Sequence, residues 1–156
     1  MRILVLSDSH QYASGVKKAV ETIDGVSMII HLGDGERDTY CLRDLPESVE
    51  LIQVRGNCDF GSELPGERLF EVRGKRIFCT HGHLYHVKYG DEMLKETAEK
   101  YEADITLYGH THVPVTKCEN GRYFFNPGSL LDGSFGYIDI VGNAVNCVHL
   151  NLRDLK

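Results

Sequence analysis

The sequence predicts an α/β protein in which two mixed β-sheets pack against each other and helices cover their outer faces. In the first half of the chain, short apolar runs alternate with an amphipathic segment, which is typical of parallel strands joined by a helix. In the second half, apolar runs are separated by short turns, which is typical of β-hairpins. With 156 residues the chain is long enough for one domain with a substantial core, and we expect residues 1–156 to form it.

The first three elements form a strand–helix–strand unit. Ile3–Leu6 is an unbroken apolar run that is too short for a helix, and it indicates a strand covered on both faces. In residues 14–23 the apolar side chains fall on one helical stripe, and Ser14 is in place to cap that helix. Residues 26–32 form the next strand. Such a unit implies parallel strands, whose carboxyl ends lie at the same edge of the sheet.

The remaining elements are predicted from the same periodicities. Residues 36–42 suggest a short surface helix, and residues 88–101 suggest a longer helix with one apolar face. Turn residues such as Asn120–Gly121, a strong hairpin signal, separate consecutive strands. The further predicted strands comprise residues 49–54, 69–72, 76–80, 105–108, 113–118, 122–125, 136–141 and 144–150.

The composition excludes several functional classes. The formal net charge is −6 and no lysine or arginine cluster occurs, so we expect no stable binding of nucleic acid. No stretch approaches the roughly 18 apolar residues of a membrane helix, so no membrane association is expected. The first apolar run is also shorter than the core of a signal peptide. Five cysteines without a close pair indicate reduced thiols and a cytoplasmic location.

Side chains able to bind a metal follow five of the predicted strands. Any one of them has an ordinary explanation, because aspartate and asparagine are common in turns and helix caps. Five strands that all end in such residues at one edge of a sheet are hard to explain by turn formation alone. Four of the five groups of residues stand beside a glycine. We therefore predict a metal site. Its seven candidate ligands are Asp8, His10, Asp34, Asn57, His81, His110 and His112.

The donor set points to a pair of transition-metal ions. It combines imidazole, carboxylate and amide oxygen without thiolate, which favours manganese, iron, zinc or nickel over magnesium or calcium. Seven donors exceed the need of one tetrahedral ion and suit two ions about 3.5–4 Å apart that share a bridge. A carboxylate has two oxygens, so Asp34 is the natural bridging candidate. A structural zinc site is a weaker interpretation, because such sites are usually rich in cysteine.

The order of these motifs resembles that of the calcineurin-like metallophosphoesterases. It is similar in particular to their small single-domain phosphodiesterase branch, which also contains the retromer scaffold subunit. The resemblance covers nearly the whole chain. The motifs that carry it are Asp8-Ser9-His10, Gly33-Asp34, Gly56-Asn57, His81-Gly82-His83, Gly109-His110-Thr111-His112 and Asn126-Pro127-Gly128-Ser129.

The resemblance implies a four-layer, two-sheet fold and a mechanism. Two divalent ions, manganese in first place with nickel, iron or zinc as alternatives, would activate a hydroxide that attacks the phosphorus of a small phosphodiester. One ion would be held by Asp8, His10, Asp34 and His112, and the other by Asp34, Asn57, His81 and His110. We expect catalytic roles for Asp34, Asn57 and His81. Substrate contacts are expected for Asn57 and His83.

One position departs from the family pattern. Many relatives have a histidine directly after the asparagine, where it is thought to protonate the leaving group, and this chain has Cys58. We expect Cys58 to be a small, buried, inert thiol, and Asp59 could orient a histidine that lies behind the metal ligands. We expect His31 to be a packed structural residue, and His86 and His149 to have surface or packing roles.

Two functions are compatible with the sequence. The first is a binuclear metal-dependent phosphodiesterase, which the complete set of seven ligands favours. The alternative is a catalytically weak scaffold that uses the same fold to bind other proteins and that could lose several ligands without penalty. The sequence leaves open the physiological substrate, the native metal and whether the chain forms a homo-oligomer.

Overall fold

The computed structural model describes residues 1–155, in which ten strands form two five-stranded mixed sheets. The strands are β1 (Arg2–Leu6), β2 (Val26–His31), β3 (Glu50–Gln53), β4 (Glu67–Val72), β5 (Lys75–Thr80), β6 (Ile105–Leu107), β7 (Val115–Glu119), β8 (Arg122–Asn126), β9 (Ser134–Val141) and β10 (Ala144–Asn151). The α-helices are α1 (Ala13–Thr22) and α2 (Glu92–Lys100). Two 3₁₀ helices comprise Glu36–Leu42 and His83–Tyr85.

The first sheet has the order β10-β9-β1-β2-β3, and β1, β2 and β3 run parallel as predicted. The second sheet has the order β4-β5-β6-β8-β7. The three predicted hairpins are present, but β5, β6 and β8 run parallel in the middle of this sheet. The prediction that the second half consists mostly of hairpins was therefore incomplete. Turn residues reveal local pairing only, whereas the β5–β6 crossover runs through α2.

Burial on both faces of the central strands confirms the layered architecture. Ile3 and Val5 of β1 pack between the sheets against Ile77 and Phe125. The alternate side chains of β1 pack against α1 in a second apolar cluster. A third cluster joins α2 to the outer face of the second sheet. The order of layers is thus α1, first sheet, second sheet and α2, which is the predicted sandwich with helices outside.

Two helix starts differ from the prediction. Helix α1 begins at Ala13 with Tyr12 as its N-cap residue, so Ser14 lies inside the first turn and does not cap it. Helix α2 begins only at Glu92, four residues after the predicted start at Lys88. Gly90 precedes it with φ of 157°, an extended conformation that a helix cannot contain. Apolar spacing alone did not detect this interruption.

The edges of the two sheets meet at His149. Its ring stacks on Phe125 with centroids 4.6 Å apart, and its Nε2 lies 2.9 Å from the Thr116 hydroxyl of β7. The predicted packing role of His149 is confirmed, and His86 is exposed as expected. Within residues 1–155, the helices are all too short or too polar to cross a bilayer.

Replacing Phe125 should test the packing between the sheets. Its side chain is fully buried, so Phe125→Ala should lower the free energy of unfolding by about 3–5 kcal/mol. Phe60→Ala is the matched control, because this phenylalanine is 85% exposed and its loss should change stability by less than about 0.5 kcal/mol. Urea denaturation followed by circular dichroism measures both. Equal effects would contradict the assignment of Phe125 to the core.

Candidate metal centre

The candidate ligands project from loops that follow the strands. Asp8 and His10 follow β1, Asp34 follows β2, and His110 and His112 follow β6. All five have positive φ, between 43° and 68°. Residues other than glycine seldom adopt this conformation, and it concentrates at functional sites because the surrounding structure must enforce it.

Three of these side chains form a first group of converging donor atoms. His112 Nε2 lies 3.1 Å from Asp8 Oδ1 and 3.4 Å from His10 Nε2. His10 Nε2 also lies 3.8 Å from Asp8 Oδ1. The donor atoms of Asp8, His10 and His112 all lie within 4.8 Å of one another, a spacing at which one ion could contact all three.

A second group forms around Asp34. Its Oδ2 lies 3.4 Å from His81 Nε2, and the donor atoms of Asp34, His81 and His110 all lie within 4.8 Å of one another. The same Oδ2 lies 3.8 Å from His10 Nε2 of the first group. Asp34 therefore faces both groups, which is the position required of a bridging carboxylate.

His81 shows which of its nitrogens is free to bind an ion. The ring is fully buried, and Nδ1 lies 2.7 Å from the carbonyl oxygen of Leu32, to which it donates a hydrogen bond. When the ring is neutral, this tautomer leaves the lone pair on Nε2, which has no hydrogen-bond partner in the described chain. A buried polar atom without a partner is costly, and here it points at two carboxylates. A metal ion satisfies this arrangement, so the residues fit the ions that the sequence implies.

Glycines make room for the carboxylates. A Cβ at Gly56 would lie 2.0 Å from Asp34 Oδ1, and a Cβ at Gly109 would lie 2.8 Å from Asp8 Oδ2. Neither distance is tolerable for a real side chain. The recurring pairing of a glycine with a candidate ligand thus reflects close approach between neighbouring loops.

The surroundings shift the pKa values of three of the donors. Burial opposes ionisation of Asp34, but His81 and the Cys58 N–H outweigh it and hold the pKa of Asp34 below its usual range. Burial, together with His81, lowers the pKa of His110 to about 4, so this imidazole is neutral near pH 7. His81 responds differently. Burial lowers its pKa, but attraction to Asp34 and Asp8 raises it by more.

A buried network behind the ligands holds their loops in place. His31 Nδ1 accepts a hydrogen bond from the Gly33 N–H, so its Nε2 donates to the Ser9 hydroxyl, 3.0 Å away. Ser9 in turn donates to Asp38 Oδ2 over 2.5 Å, and the Gln11 N–H donates to the same oxygen. His31 is fully buried, which confirms its predicted structural role.

Further polar residues, which belong to or follow strands of both sheets, fix the ligand loops. Asn126 Nδ2 donates to the Gly109 carbonyl and to the Thr111 hydroxyl, both at 3.0 Å. Ser129 donates to the Asp8 carbonyl, and Ser7 donates to Asp8 Oδ2. The sequence analysis did not identify these supporting roles. Polar residues inside or just after apolar strands were the available signal.

Comparison with known proteins shows the family to which this chain belongs. A model of the calcineurin-like phosphoesterase superfamily domain matches residues 1–141. The chain belongs to the calcineurin-like phosphoesterase superfamily. This family is metal-dependent, and the chain contains groups of side chains suited to bind metals.

Curated relatives agree with this membership. The chain is 33% identical over 135 residues to the probable metallophosphoesterase YsnB of Bacillus subtilis, an alignment that covers 83% of this chain and 75% of that protein. It is 29% identical over 154 residues to the phosphodiesterase YfcE of Escherichia coli, covering 83% and 79% of the two chains.

Solved structures share the fold. A predicted phosphoesterase from Streptococcus pneumoniae superimposes with a TM-score of 0.79 at 30% identity, covering 96% of this chain and 88% of that one. Vacuolar Protein Sorting 29 from Cryptosporidium parvum superimposes with a TM-score of 0.81 at 20% identity, covering 99% and 93%. The latter likeness concerns the fold alone.

Two residues that the phosphoesterase resemblance implicates lie beside the clustered donors. The Asn57 side chain is exposed, and its Nδ2 donates to Cys58 Sγ over 3.4 Å. The His83 ring is half-buried, with its centroid 5.4 Å from that of His81. Its Nδ1 is buried and has no hydrogen-bond partner within residues 1–155. The roles of Asn57 and His83 stay predictions.

Two expectations about the loop after β3 were wrong. Cys58 is exposed and not buried, as is the neighbouring Asn57. Asp59 contacts backbone and does not orient a histidine. Its carboxylate accepts four hydrogen bonds of 2.7–3.0 Å, from the N–H groups of Asp34, Gly35, Glu36 and Gly56. It thereby ties the loops after β2 and β3 together.

The buried His31 predicts a specific loss of stability in acid. Burial lowers the pKa of His31 from 6.5 to about 4, so protonation favours the unfolded chain. Its contribution is therefore complete above about pH 6.5 and is lost as the pH falls toward 4. Relative to His31→Gln, the wild type should lose about 3 kcal/mol of unfolding free energy between neutral pH and about pH 4.

Urea denaturation of the metal-free proteins measures this difference. His31→Gln keeps a side-chain donor toward Ser9 but cannot titrate, so the comparison isolates one proton. A difference between the two proteins that is independent of pH would show that His31 is not held neutral in the folded chain.

Proposed function

We propose that this protein is a single-domain phosphodiesterase that holds two divalent transition-metal ions, manganese in first place, and hydrolyses small phosphodiesters. The observation that supports it most strongly is the buried His81 Nε2, which has no hydrogen-bond partner within residues 1–155 and faces Asp8 and Asp34. The proposed ligands are Asp8, His10, Asp34, Asn57, His81, His110 and His112.

The two ions would lower the pKa of a bound water to about 7 and offset the negative charge of the phosphate. The chain itself provides positioning. Asp34 Oδ1 is held by the Cys58 N–H at 2.7 Å, which leaves Oδ2 directed at His10 and His81. Asp8 Oδ2 is held in the same way by the Ser7 hydroxyl and the His110 N–H, and its Oδ1 faces His112. Each carboxylate therefore has one oxygen fixed and one available.

The proposed location is the cytoplasm. All five cysteines are free thiols, which suits a reducing compartment. The proposed substrate contacts are Asn57, whose amide is exposed, and His83 beside His81.

The alternative function is a scaffold that binds other proteins. The likeness to Vacuolar Protein Sorting 29 motivates it, but at 20% identity it concerns the fold. The complete set of seven proposed ligands, with glycines packed closely against two of the carboxylates, favours the enzyme. Incubation of the manganese-loaded protein with a panel of phosphodiesters separates the two. Absence of turnover on every diester, at full metal occupancy, would favour the scaffold.

Asp34→Asn should abolish turnover while the chain still folds. Neutralising the proposed bridge weakens both ion sites together, so bound manganese should fall from two ions per chain toward none. Elemental analysis and hydrolysis of bis(p-nitrophenyl) phosphate measure the two effects. Asp44→Asn makes the same chemical change at an exposed position and should leave both unchanged. Near-normal activity in Asp34→Asn would exclude the bridging role.

Cys58 should limit which diesters are cleaved. Its thiol supplies no cationic proton donor, so the enzyme should prefer diesters with good leaving groups and be slow on alkyl esters and monoesters. The side chain is exposed, and its Sγ lies within 4.8 Å of donor atoms of His10 and Asp34, so an imidazole has room there. Cys58→His should therefore raise rates most for the poorest leaving groups, by up to about 10²–10⁴-fold.

Cys58→Ala is the control for this substitution and should match the wild type. A plot of rate against the pKa of the leaving alcohol should become flatter in Cys58→His. A uniform rise or fall for all substrates would show that proton donation at this position does not limit the reaction.

A further inference from the structure

A cavity of about 390 Å³ opens beside the proposed metal centre. Its lining includes Asp34, Cys58, Arg37 and Phe60. Its volume falls in the range of small-molecule sites, roughly 300–1,000 Å³. A phosphate bound at the ligand cluster would thus place one of its ester groups in or next to this cavity.

Phe60 presents an aromatic ring to this cavity. It is 85% exposed, although phenylalanine gains much from burial. A single exposed apolar residue is not unusual by itself. Here, however, the ring shares its cavity with the clustered donors, so a bound ester group could cover it.

The backbone holds Phe60 firmly relative to Asp34. The preceding residue, Asp59, accepts hydrogen bonds from the N–H groups of Asp34 and Gly56, and its carbonyl accepts one from Ser62. The loop of Phe60 is therefore joined directly to the loop of the proposed bridging ligand. The backbone that carries the ring is therefore fixed relative to Asp34, which lowers the entropic cost of stacking on Phe60.

The charges of the cavity favour an uncharged ring. Asp59 is satisfied by backbone N–H groups, and Asp38 by Ser9 and Gln11. The exposed Arg37 adds one positive charge, and Glu36 adds one negative charge. Hydrogen bonding leaves the charge of these carboxylates in place, so the cavity lining carries more negative than positive charge, which disfavours an anionic ester group and leaves an uncharged ring as the better occupant.

We propose that this cavity binds an aromatic ring carried by one ester group of the substrate, stacked on the face of Phe60. The inference rests on the proposed function, because it places the phosphate at the metal centre. Stacking on an aromatic side chain suits a nucleobase or a simple aryl group. The substrate class is therefore an aryl or nucleoside phosphoester.

Binding of product-like monoesters to the manganese-loaded protein tests this without turnover. Adenosine 5′-monophosphate and ribose 5-phosphate share a phosphate and a sugar and differ in the base. Phenyl phosphate and methyl phosphate differ in the ring alone. Calorimetry should show that at least one aromatic ester binds about tenfold more tightly than its aliphatic counterpart. The pair with the larger ratio identifies the ring as a nucleobase or a simple aryl group.

Phe60→Leu should reduce that preference to within about twofold and leave the affinity of the aliphatic esters unchanged. Tyr89→Leu is the matched control, because this ring is 93% exposed but does not line the cavity. It should keep the wild-type preference. Aromatic esters that bind no more tightly than aliphatic ones, or not at all, would overturn the proposal, as would a preference that survives in Phe60→Leu.

The binding of aromatic monoesters and the cleavage of diesters are measured separately, so either one can fail without the other. A protein that binds aromatic monoesters through Phe60 but cleaves no diester would refute the phosphodiesterase function and leave the ring site standing. A protein that cleaves diesters but does not bind aromatic monoesters through Phe60 would support the phosphodiesterase function and refute the ring site.

Discussion

The burial of two carboxylates at one place is the constraint on which this structure depends. Asp8 is fully buried and Asp34 is 3% exposed. Within residues 1–155 their ion-pair partners are histidines, with no lysine or arginine among them. Burying an ion costs several kcal/mol of folding free energy unless other groups compensate its charge. Removing one partner of a buried ion pair leaves the other charge uncompensated. Divalent cations would supply the missing charge, and the metal-dependence of the family fits this need.

The surrounding fold serves to hold these groups against their mutual repulsion. Asp8 and Asp34 follow parallel strands and therefore lie at the same edge of the first sheet. His81, His110 and His112 follow strands of the second sheet and lie opposite them. Backbone N–H groups, and for Asp8 a hydroxyl, fix one oxygen of each carboxylate. The strained conformations with positive φ persist because Asp59 and the network around Ser9 anchor the loops on several sides. These strained conformations lower the stability of the folded chain, and they hold the site in a fixed geometry.

The sequence predicted the parts of this arrangement that follow from chain direction. The run Ile3–Leu6 identifies a buried strand, and parallel strands must end at one edge, so the convergence of Asp8 and Asp34 was foreseeable. The supporting contacts were not, because they join loops far apart in the chain. Asp38 contacts Ser9 across 29 positions, and Asp59 contacts Asp34 across 25. Hydrophobic periodicity carries no information about such pairings, and for this reason the environments predicted for Cys58 and Asp59 were wrong.

The central claim is that two metal ions lie on either side of Asp34. Diffraction from crystals soaked with manganese, recorded at a wavelength where manganese scatters anomalously, tests it most directly. Two anomalous peaks about 3.5–4 Å apart are expected, one on either side of the Asp34 carboxylate and one of them next to His81. A single peak, or peaks only outside the cluster of Asp8, Asp34 and the four histidines, would contradict it.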